Sequence, residues 1–141
     1  PFVTASAEEL DIDLEPFERL REAPMGMVAH IVYSAWDAER PSSQSPVVIE
    51  QIIRQRIGFS GLLMTDDIGM QALSGSPGER SAKALAAGCD VTLHCTGKFE
   101  EMIDVAAHVG DLTPDGEARL ARAMAGVMVT GDGPDLAECV A

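Results

Sequence analysis

Two adjacent carboxylates, Asp66 and Asp67, close an apolar run in the stretch LLMTDDIGM, residues 62 to 70. An aspartate fixed at the end of a buried strand suits nucleophilic or electrostatic work, because the strand gives it a rigid base and the strand end opens toward a ligand. A solvated strand end has the same composition, and the residues alone leave both readings open. If strand geometry extends through Asp67, alternation puts Leu62, Met64 and Asp66 on one face and Leu63, Thr65 and Asp67 on the other. Only one acid then faces a site, and the other is expected to cap the following segment or pair with a base such as Arg80. Paired acids also suit a hard cation such as Mg²⁺, as in a receiver-like signalling domain. That arrangement expects the pair on the first strand and a separate acid ending a later one, whereas the third strand-like run here ends in His94-Cys95. A further alternative is a non-catalytic α/β piece that only binds or assembles, since unpaired strand edges favour self-association.

The elements that must position these acids are written in punctuation and period. Ser45-Pro46, Ser76-Pro77 and Thr113-Pro114 each place a capping hydroxyl before a proline suited to the first helical position. Ser6 to Glu9 and Ser76 to Glu79 fit the capping box. Val48, Ile49, Ile52, Ile53 and Ile57 recur at helical spacing until Gly58 stops them, and Gly88 ends the helix that begins at Pro77. Further helices are expected over roughly Lys98–Val109, with Phe99, Met102, Ile103 and Ala106 on one side, and Pro114–Met128. Ser6–Ala23 is helical in pattern but contains Pro16, which predicts two short helices or one kinked helix. Between these lie strand-length apolar runs at 25–33, 61–65 and 90–95. Apolar strands alternating with helices imply a parallel sheet covered on both faces. His30, Tyr33, His94 and Cys95 should share the carboxyl rim of that sheet with Asp66 and Asp67, and ligands of parallel α/β folds bind at that rim. Three strands leave two open edges, so the pattern reads as part of a larger α/β fold.

The chain has 141 residues and a formal net charge of −13, from 10 basic and 23 acidic residues. Such a charge repels phosphate backbones and anionic lipid surfaces, so neither nucleic acid nor membrane is an expected partner. No apolar run approaches the ~20 residues that span a bilayer, and no signal peptide pattern is visible. Cys89, Cys95 and Cys139 do not form a disulfide framework. They read as reduced thiols of a cytoplasmic protein. With no Cys-x-x-Cys or His-x-x-x-His spacing, no metal site is expected, and no cofactor either.

One long stretch sharpens the choice between the readings of Asp66. IIRQRIGFSGLLMTDDIGM, residues 52 to 70, resembles the nucleophile signature of glycoside hydrolase family 3, in which two aliphatics, a basic residue, a short gap, Gly and three apolar residues precede Ser or Thr and the catalytic Asp. Ile52, Ile53, Arg54, Arg56, Gly61, Leu62, Leu63, Met64, Thr65 and Asp66 fill those places. MVAHIVYSAWDAERPSSQSP, residues 27 to 46, resembles the preceding segment of the β-N-acetylglucosaminidase branch, with its Ala-His and Asp…Pro…Ser pattern. ERSAKALAAGCDVTLHC, residues 79 to 95, resembles the branch's next helix and strand, and the likeness runs over roughly residues 7 to 125.

The resemblance implies an α/β chain carrying about the last three strands of a TIM (β/α)8 barrel, one partial barrel domain with an α/β core over 1–130 and a C-terminal tail over 131–141. It implies Asp66 as the nucleophile of a retaining hydrolase, attacking the anomeric carbon of a terminal β-linked N-acetylglucosamine in a peptidoglycan-derived glycan during cell-wall recycling. His30 and Met70 become substrate-binding positions. His30 has a second reading as a hydrogen-bonded rim histidine, and Met64 and Met70 as core filler. His94 reads as a packed strand-end histidine and His108 as a helix-surface one. A like charge beside Asp66 would favour protonation of one of the pair, so Asp67 is expected to point elsewhere or be paired. In this branch the acid/base histidine, on a mobile loop with a supporting aspartate, lies upstream, as do the Lys-His pair and the arginine that hold the sugar. None of these motifs occurs in this sequence, which starts PFVTASAEEL without an initiator methionine. The chain is therefore expected to be a fragment, inactive alone, whose partner is the missing N-terminal part of the barrel as a separate chain or segment.

Overall fold

A computed structural model describes residues 1–127; the tail expected over 131–141, the end of the last helix at Met128, and Cys139 lie outside the described residues. The chain is mixed α/β with parallel pairing throughout. Strand β1 (Phe2–Val3) leads into helix α1 (Ala7–Arg19), and strands β2 (Met25–Val28) and β3 (Val32–Tyr33) follow. A 3-10 turn (Ser42–Gln44) and a π-helix (Val48–Arg56) precede β4 (Leu62–Asp67), helix α2 (Pro77–Ala87) and β5 (Val91–Leu93). Helices α3 (Phe99–His108) and α4 (Pro114–Met124) complete the described chain. The main sheet has the order β2-β4-β5, and β1 pairs with β3 in a separate two-stranded sheet.

The caps form where the sequence places them. Ser6 and Ser76 both close full capping boxes with Glu9 and Glu79, and the Thr113 hydroxyl accepts from Gly116 N–H. The Ser45 hydroxyl accepts from Val48 N–H at 3.1 Å and so opens the turn that becomes the π-helix. That helix widens to i→i−5 bonding, seen where Ile57 N–H reaches the Ile52 carbonyl at 2.8 Å. Gly88, with φ of 113°, ends α2 in the left-handed region. Pro16 sits inside α1, which runs as one 13-residue helix rather than two.

The expected single strand over 25–33 is interrupted. The chain leaves the main sheet after Val28 and pairs again at Val32 with β1, which the sequence pattern did not indicate. Tyr33 consequently sits in the second sheet, stacked against Trp36 with ring centroids 4.9 Å apart, and not on the rim of the main sheet as expected.

The core is one cluster on one face of the main sheet. Val28 and Leu63 pack there against Ile49, Phe59, Ala84, Ala87 and Cys89. Registers Met25↔Leu62 and Met27↔Met64 place those residues on the other face. Cover on that face is partial: Leu62 is 2% exposed, Met27 55%. Among the described residues the sheet is therefore covered fully on one face only, a correction to the two-sided cover expected. The apolar side of α3 is also open, with Phe99, Met102 and Ile103 exposed.

Candidate active site

The middle strand of the sheet, β4, carries Thr65, Asp66 and Asp67 at its carboxyl end. The strand is clamped from its amino end. Arg54, on the π-helix, donates to the Phe59 and Gly61 carbonyls at 3.1 and 2.8 Å and to the Asp90 carboxylate at 2.9 Å. Asp90 also accepts from Leu63 N–H at 2.8 Å and from Arg119 at 2.8 Å. One nearly buried carboxylate thus ties the π-helix, β4, β5 and α4 together. Burial, with the nearby Arg119 charge, lowers the Arg54 guanidinium below its usual value against the pull of Asp90. Arg54 of the 52–70 stretch is therefore a structural clamp on the turn that launches the strand.

The strand end is irregular. Met64 pairs with Val91 and Asp67 with Leu93, so β4 has one residue more than β5 in that interval, a bulge. Leu93 N–H goes to the Thr65 hydroxyl at 3.1 Å. A bulge re-aims side chains, so strict alternation does not carry through to Asp67.

The two aspartates have different surroundings, although both are half-buried. The Asp67 carboxylate accepts from Gly69 N–H at 2.9 Å and from Cys95 N–H at 3.0 Å. Its carbonyl accepts from Met70 N–H at 3.0 Å and lies 3.0 Å from His30 Nε2. Asp67 is thus the acid that caps the following segment. It does not pair with Arg80, which holds the same segment by donating to the Ile68 and Met70 carbonyls at 2.8 and 3.2 Å. The Asp66 carboxylate accepts one bond, from Asp67 N–H at 2.8 Å. Among the described residues nothing else bonds or pairs with it. A Cβ at position 69 would stand 3.2 Å from both Asp67 carboxylate oxygens, so glycine is what lets the backbone fold back under them.

His30 is 3% exposed, with both ring nitrogens engaged. A carbonyl only accepts, so Nε2 carries the proton toward Asp67, and Nδ1 accepts from the Ser43 hydroxyl at 2.7 Å. This is the hydrogen-bonded rim histidine of the second reading, and it has no nitrogen left for a ligand. Met70 is 42% exposed on the segment that Asp67 and Arg80 hold. His94 pairs with Glu101 at 3.0 Å, and Thr96 and Lys98 bond the same carboxylate. The Thr96, His94 and Lys98 hydrogen bonds hold Glu101 well below the usual carboxylate range, at about 2. His108 lies exposed on α3 against Asp104. Asp104 is itself lowered, chiefly by the Gly78 N–H at the start of α2.

Ser43, Asp90 and the bulge went unread in the sequence. Ser43 stands in the loop that the Asp37 carboxylate organises by accepting from Glu39 N–H, Arg40 N–H and the Ser45 hydroxyl. Burial opposes ionisation of Asp37, but these bonds outweigh it and lower its pKa. Among the described residues no group of three His, Cys, Asp or Glu side chains is placed to hold a metal ion. The cation site expected for a receiver-like domain fails on geometry as well. The pair stands on β4, which follows β2 in the main sheet rather than opening it, and Asp67 Oδ1 already accepts from two backbone N–H groups.

Known proteins match this arrangement. The sequence pattern of the Glycosyl hydrolase family 3 N terminal domain fits residues 1–128. A Beta-hexosaminidase of Vibrio cholerae serotype O1 is 43% identical over 81 residues, covering 56% of this chain and 24% of that protein. One from Chromobacterium violaceum is 41% identical over 118 residues, covering 81% and 32%. The chain thus spans 24% and 32% of these two relatives' lengths. Among solved structures, NagZ from Neisseria gonorrhoeae in complex with N-trifluoroacetyl-D-glucosamine superposes with a TM-score of 0.70 at 29% identity, over 87% of this chain and 37% of that one. A glycoside hydrolase family 3 beta-N-acetylglucosaminidase from Paenibacillus sp. str. FPU-7 gives a TM-score of 0.72 at 25% identity, over 96% and 30%.

Proposed function

This chain belongs to glycosyl hydrolase family 3, and on that premise we propose that it carries the nucleophile of a retaining β-N-acetylglucosaminidase, the carboxylate of Asp66. The observation that carries the reading is the asymmetry of the two acids. Asp67 Oδ1 accepts from two backbone N–H groups that tie it to the segments after β4 and β5, while the Asp66 carboxylate accepts a single bond at the end of a clamped strand. A free carboxylate oxygen on a rigid support is what attack on an anomeric carbon requires.

In the proposed reaction an Asp66 oxygen forms a bond to the anomeric carbon as the glycosidic oxygen leaves with a proton from a general acid. Water then attacks the same carbon, gives up a proton to that group now acting as base, and frees the carboxylate. The proton-transfer group is assigned to a segment other than residues 1–127, because the three described histidines are otherwise engaged. His30 is buried between Ser43 and Asp67, His94 is held by Glu101, and His108 by Asp104. The edges of β2 and β5, with Met25 and Met27 exposed beside the first, are where the remaining strands of a (β/α)8 barrel would pair. The substrate class is a glycan ending in β-linked N-acetylglucosamine, taken from peptidoglycan fragments in the cytoplasm. Support for the sugar comes from the relatives named Beta-hexosaminidase and from the neighbour holding N-trifluoroacetyl-D-glucosamine. Met70, 42% exposed on the segment after β4, is the side chain proposed to meet that sugar.

The test is turnover of a chromogenic β-N-acetylglucosaminide by the complete gene product with and without Asp66→Ala. Turnover should be lost and azide should restore it with inverted product, since a small anion replaces the missing nucleophile. A 5-fluoro glycosyl fluoride should leave an adduct on the peptide containing Asp66. Undiminished turnover by the variant, or an adduct on another residue, ends the assignment.

A further inference from the structure

Ser43, His30 and the backbone of Asp67 form a chain of hydrogen bonds that ends on the carboxylate of Asp66. We propose that His30 and Ser43 are positioning residues for that carboxylate, acting through the Asp67 backbone and never touching the sugar. The inference rests on Asp66 being the nucleophile and goes beyond it by assigning what holds the nucleophile still.

Each link is a contact in the structure. The Ser43 side chain is fully buried and its hydroxyl lies 2.7 Å from His30 Nδ1. The His30 ring donates from Nε2 to the Asp67 carbonyl at 3.0 Å. The Asp67 N–H, on the other side of the same residue, donates to Asp66 Oδ1 at 2.8 Å. Asp67 is fixed a third way by its own carboxylate, through Gly69 and Cys95 N–H. With carbonyl and side chain both held, the Asp67 N–H vector is held as well, and it points at one Asp66 oxygen. The other oxygen is left to the reaction.

The anchor at the far end is equally fixed. Ser42 N–H and its hydroxyl both bond the Ile31 carbonyl, at 2.8 and 2.7 Å. The loop is braced again by Asp37 on Ser45. The same geometry fits the end of β2 at Val28. Continuing in the sheet would keep residue 30 in the ladder with β4, whereas leaving it lets the His30 ring reach the carbonyl of Asp67, where β4 ends. A buried histidine with one nitrogen on a strand-end carbonyl and the other on a buried hydroxyl is costly to maintain for packing alone, because any loss of a partner leaves an unpaired polar group.

Positioning should appear in kcat and not in substrate affinity. In the complete gene product, His30→Leu should lower kcat on the order of 10²-fold, the cost of a misplaced reacting group, with KM nearly unchanged. His30→Gln, whose amide nitrogen reproduces the Nε2 donor, should recover most of that loss. Ser43→Ala keeps the ring but frees its orientation, and should lower kcat by roughly tenfold. Thermal unfolding of each variant separates positioning from stability. A folded His30→Leu variant with kcat within about threefold of the parent, a rise in KM with kcat intact, or a glutamine variant no better than leucine would overturn the proposal. If His30→Leu does not fold, Ser43→Ala decides, and an unchanged kcat there overturns it. The 5-fluoro adduct in the unmutated protein keeps the two readings apart: an adduct away from Asp66 sinks the nucleophile, while an adduct on Asp66 with normal His30 variants sinks only the relay.

Discussion

Replacing Asp90 by alanine should cost more stability than any other single carboxylate change among the described residues. The Asp90 side chain is 4% exposed and bonds Arg54, Arg119 and Leu63 N–H at 2.8 to 2.9 Å. Its removal leaves the Arg54 guanidinium, 12% exposed, without a counter-charge. Removing one partner of a buried pair costs ~3–5 kcal/mol. The orphaned Leu63 N–H alone would cost about 1–3 kcal/mol, a term that overlaps the first. Arg119 is 25% exposed and regains water, so it adds little. An expected loss of about 4 kcal/mol, divided by a urea slope of ~2 kcal/mol/M, moves the unfolding midpoint down by roughly 2 M. Asp90→Leu combined with Arg54→Met removes both charges, and should be less damaging than Asp90→Ala by at least ~1 kcal/mol. The assay is urea unfolding of the complete gene product followed by circular dichroism. A midpoint shift under about 0.5 M, or a double variant no better than the single one, would refute the view that a desolvated carboxylate holds the base of β4.

Three further outcomes follow from the geometry. Glu101 has its folded pKa depressed to about 2 from 4.5, so the stability it contributes is complete above pH 4.5 and disappears as pH falls through about 2; Glu101→Gln should flatten the melting temperature against pH in that window, and parallel profiles for parent and variant would discard the explanation. A Cβ at position 61 would meet the Ala23 carbonyl, stand 2.7 Å from Phe59 Cζ and 2.8 Å from the Pro24 carbonyl, so Gly61→Ala should pry β2 from β4 and cost ~1–3 kcal/mol or more, with an unaltered midpoint counting against the packing described. Burial, with the Asp90 charge, pushes the Cys89 thiol up to about 12 while Cys95 is exposed. At mildly alkaline pH iodoacetamide should therefore modify Cys95 in the native protein and Cys89 only on unfolding, read by peptide mass.

What the sequence disclosed was local. The hydroxyl caps at Ser6, Ser45, Ser76 and Thr113 and the stop at Gly88 depend on neighbours within four residues, and each forms as read. The parallel sheet was legible from apolar runs alternating with helices. The break in the run at 25–33 was not, because it goes with contacts to distant residues, the pairing of Val32 with Phe2 and the bond from His30 to a carbonyl 37 residues away. Strand β1 is two residues long and has no periodicity to display. Asp90 looked like any acid before a strand, since its arginines stand 36 residues before it and 29 after. The bulge between Met64 and Asp67 is a matter of register, which no single strand encodes. The resemblance singled out Asp66 where alternation alone could not choose between the acids.

The division between the two acids has a chemical logic that bears on why both are present. The turn after β4 presents the Gly69 N–H and the segment after β5 presents the Cys95 N–H, both to one Asp67 oxygen, and the strand end is where a ligand would arrive. A carboxylate that accepts several N–H bonds is stabilised as an anion, and the same stabilisation makes its lone pairs poorer at attacking carbon. With Asp67 taking the turn's donors, Asp66 keeps one bond to fix its orientation and one oxygen without a described partner. Exchanging the roles by substitution should therefore be asymmetric on the proposed mechanism. Asp66→Asn should abolish formation of the glycosyl-enzyme while leaving the turn folded. Asp67→Asn retains a side-chain acceptor for the turn, and should keep a measurable kcat with the adduct still on Asp66. Equal loss in both variants, with neither forming an adduct, would mean that the pair acts as one unit and that no such division exists.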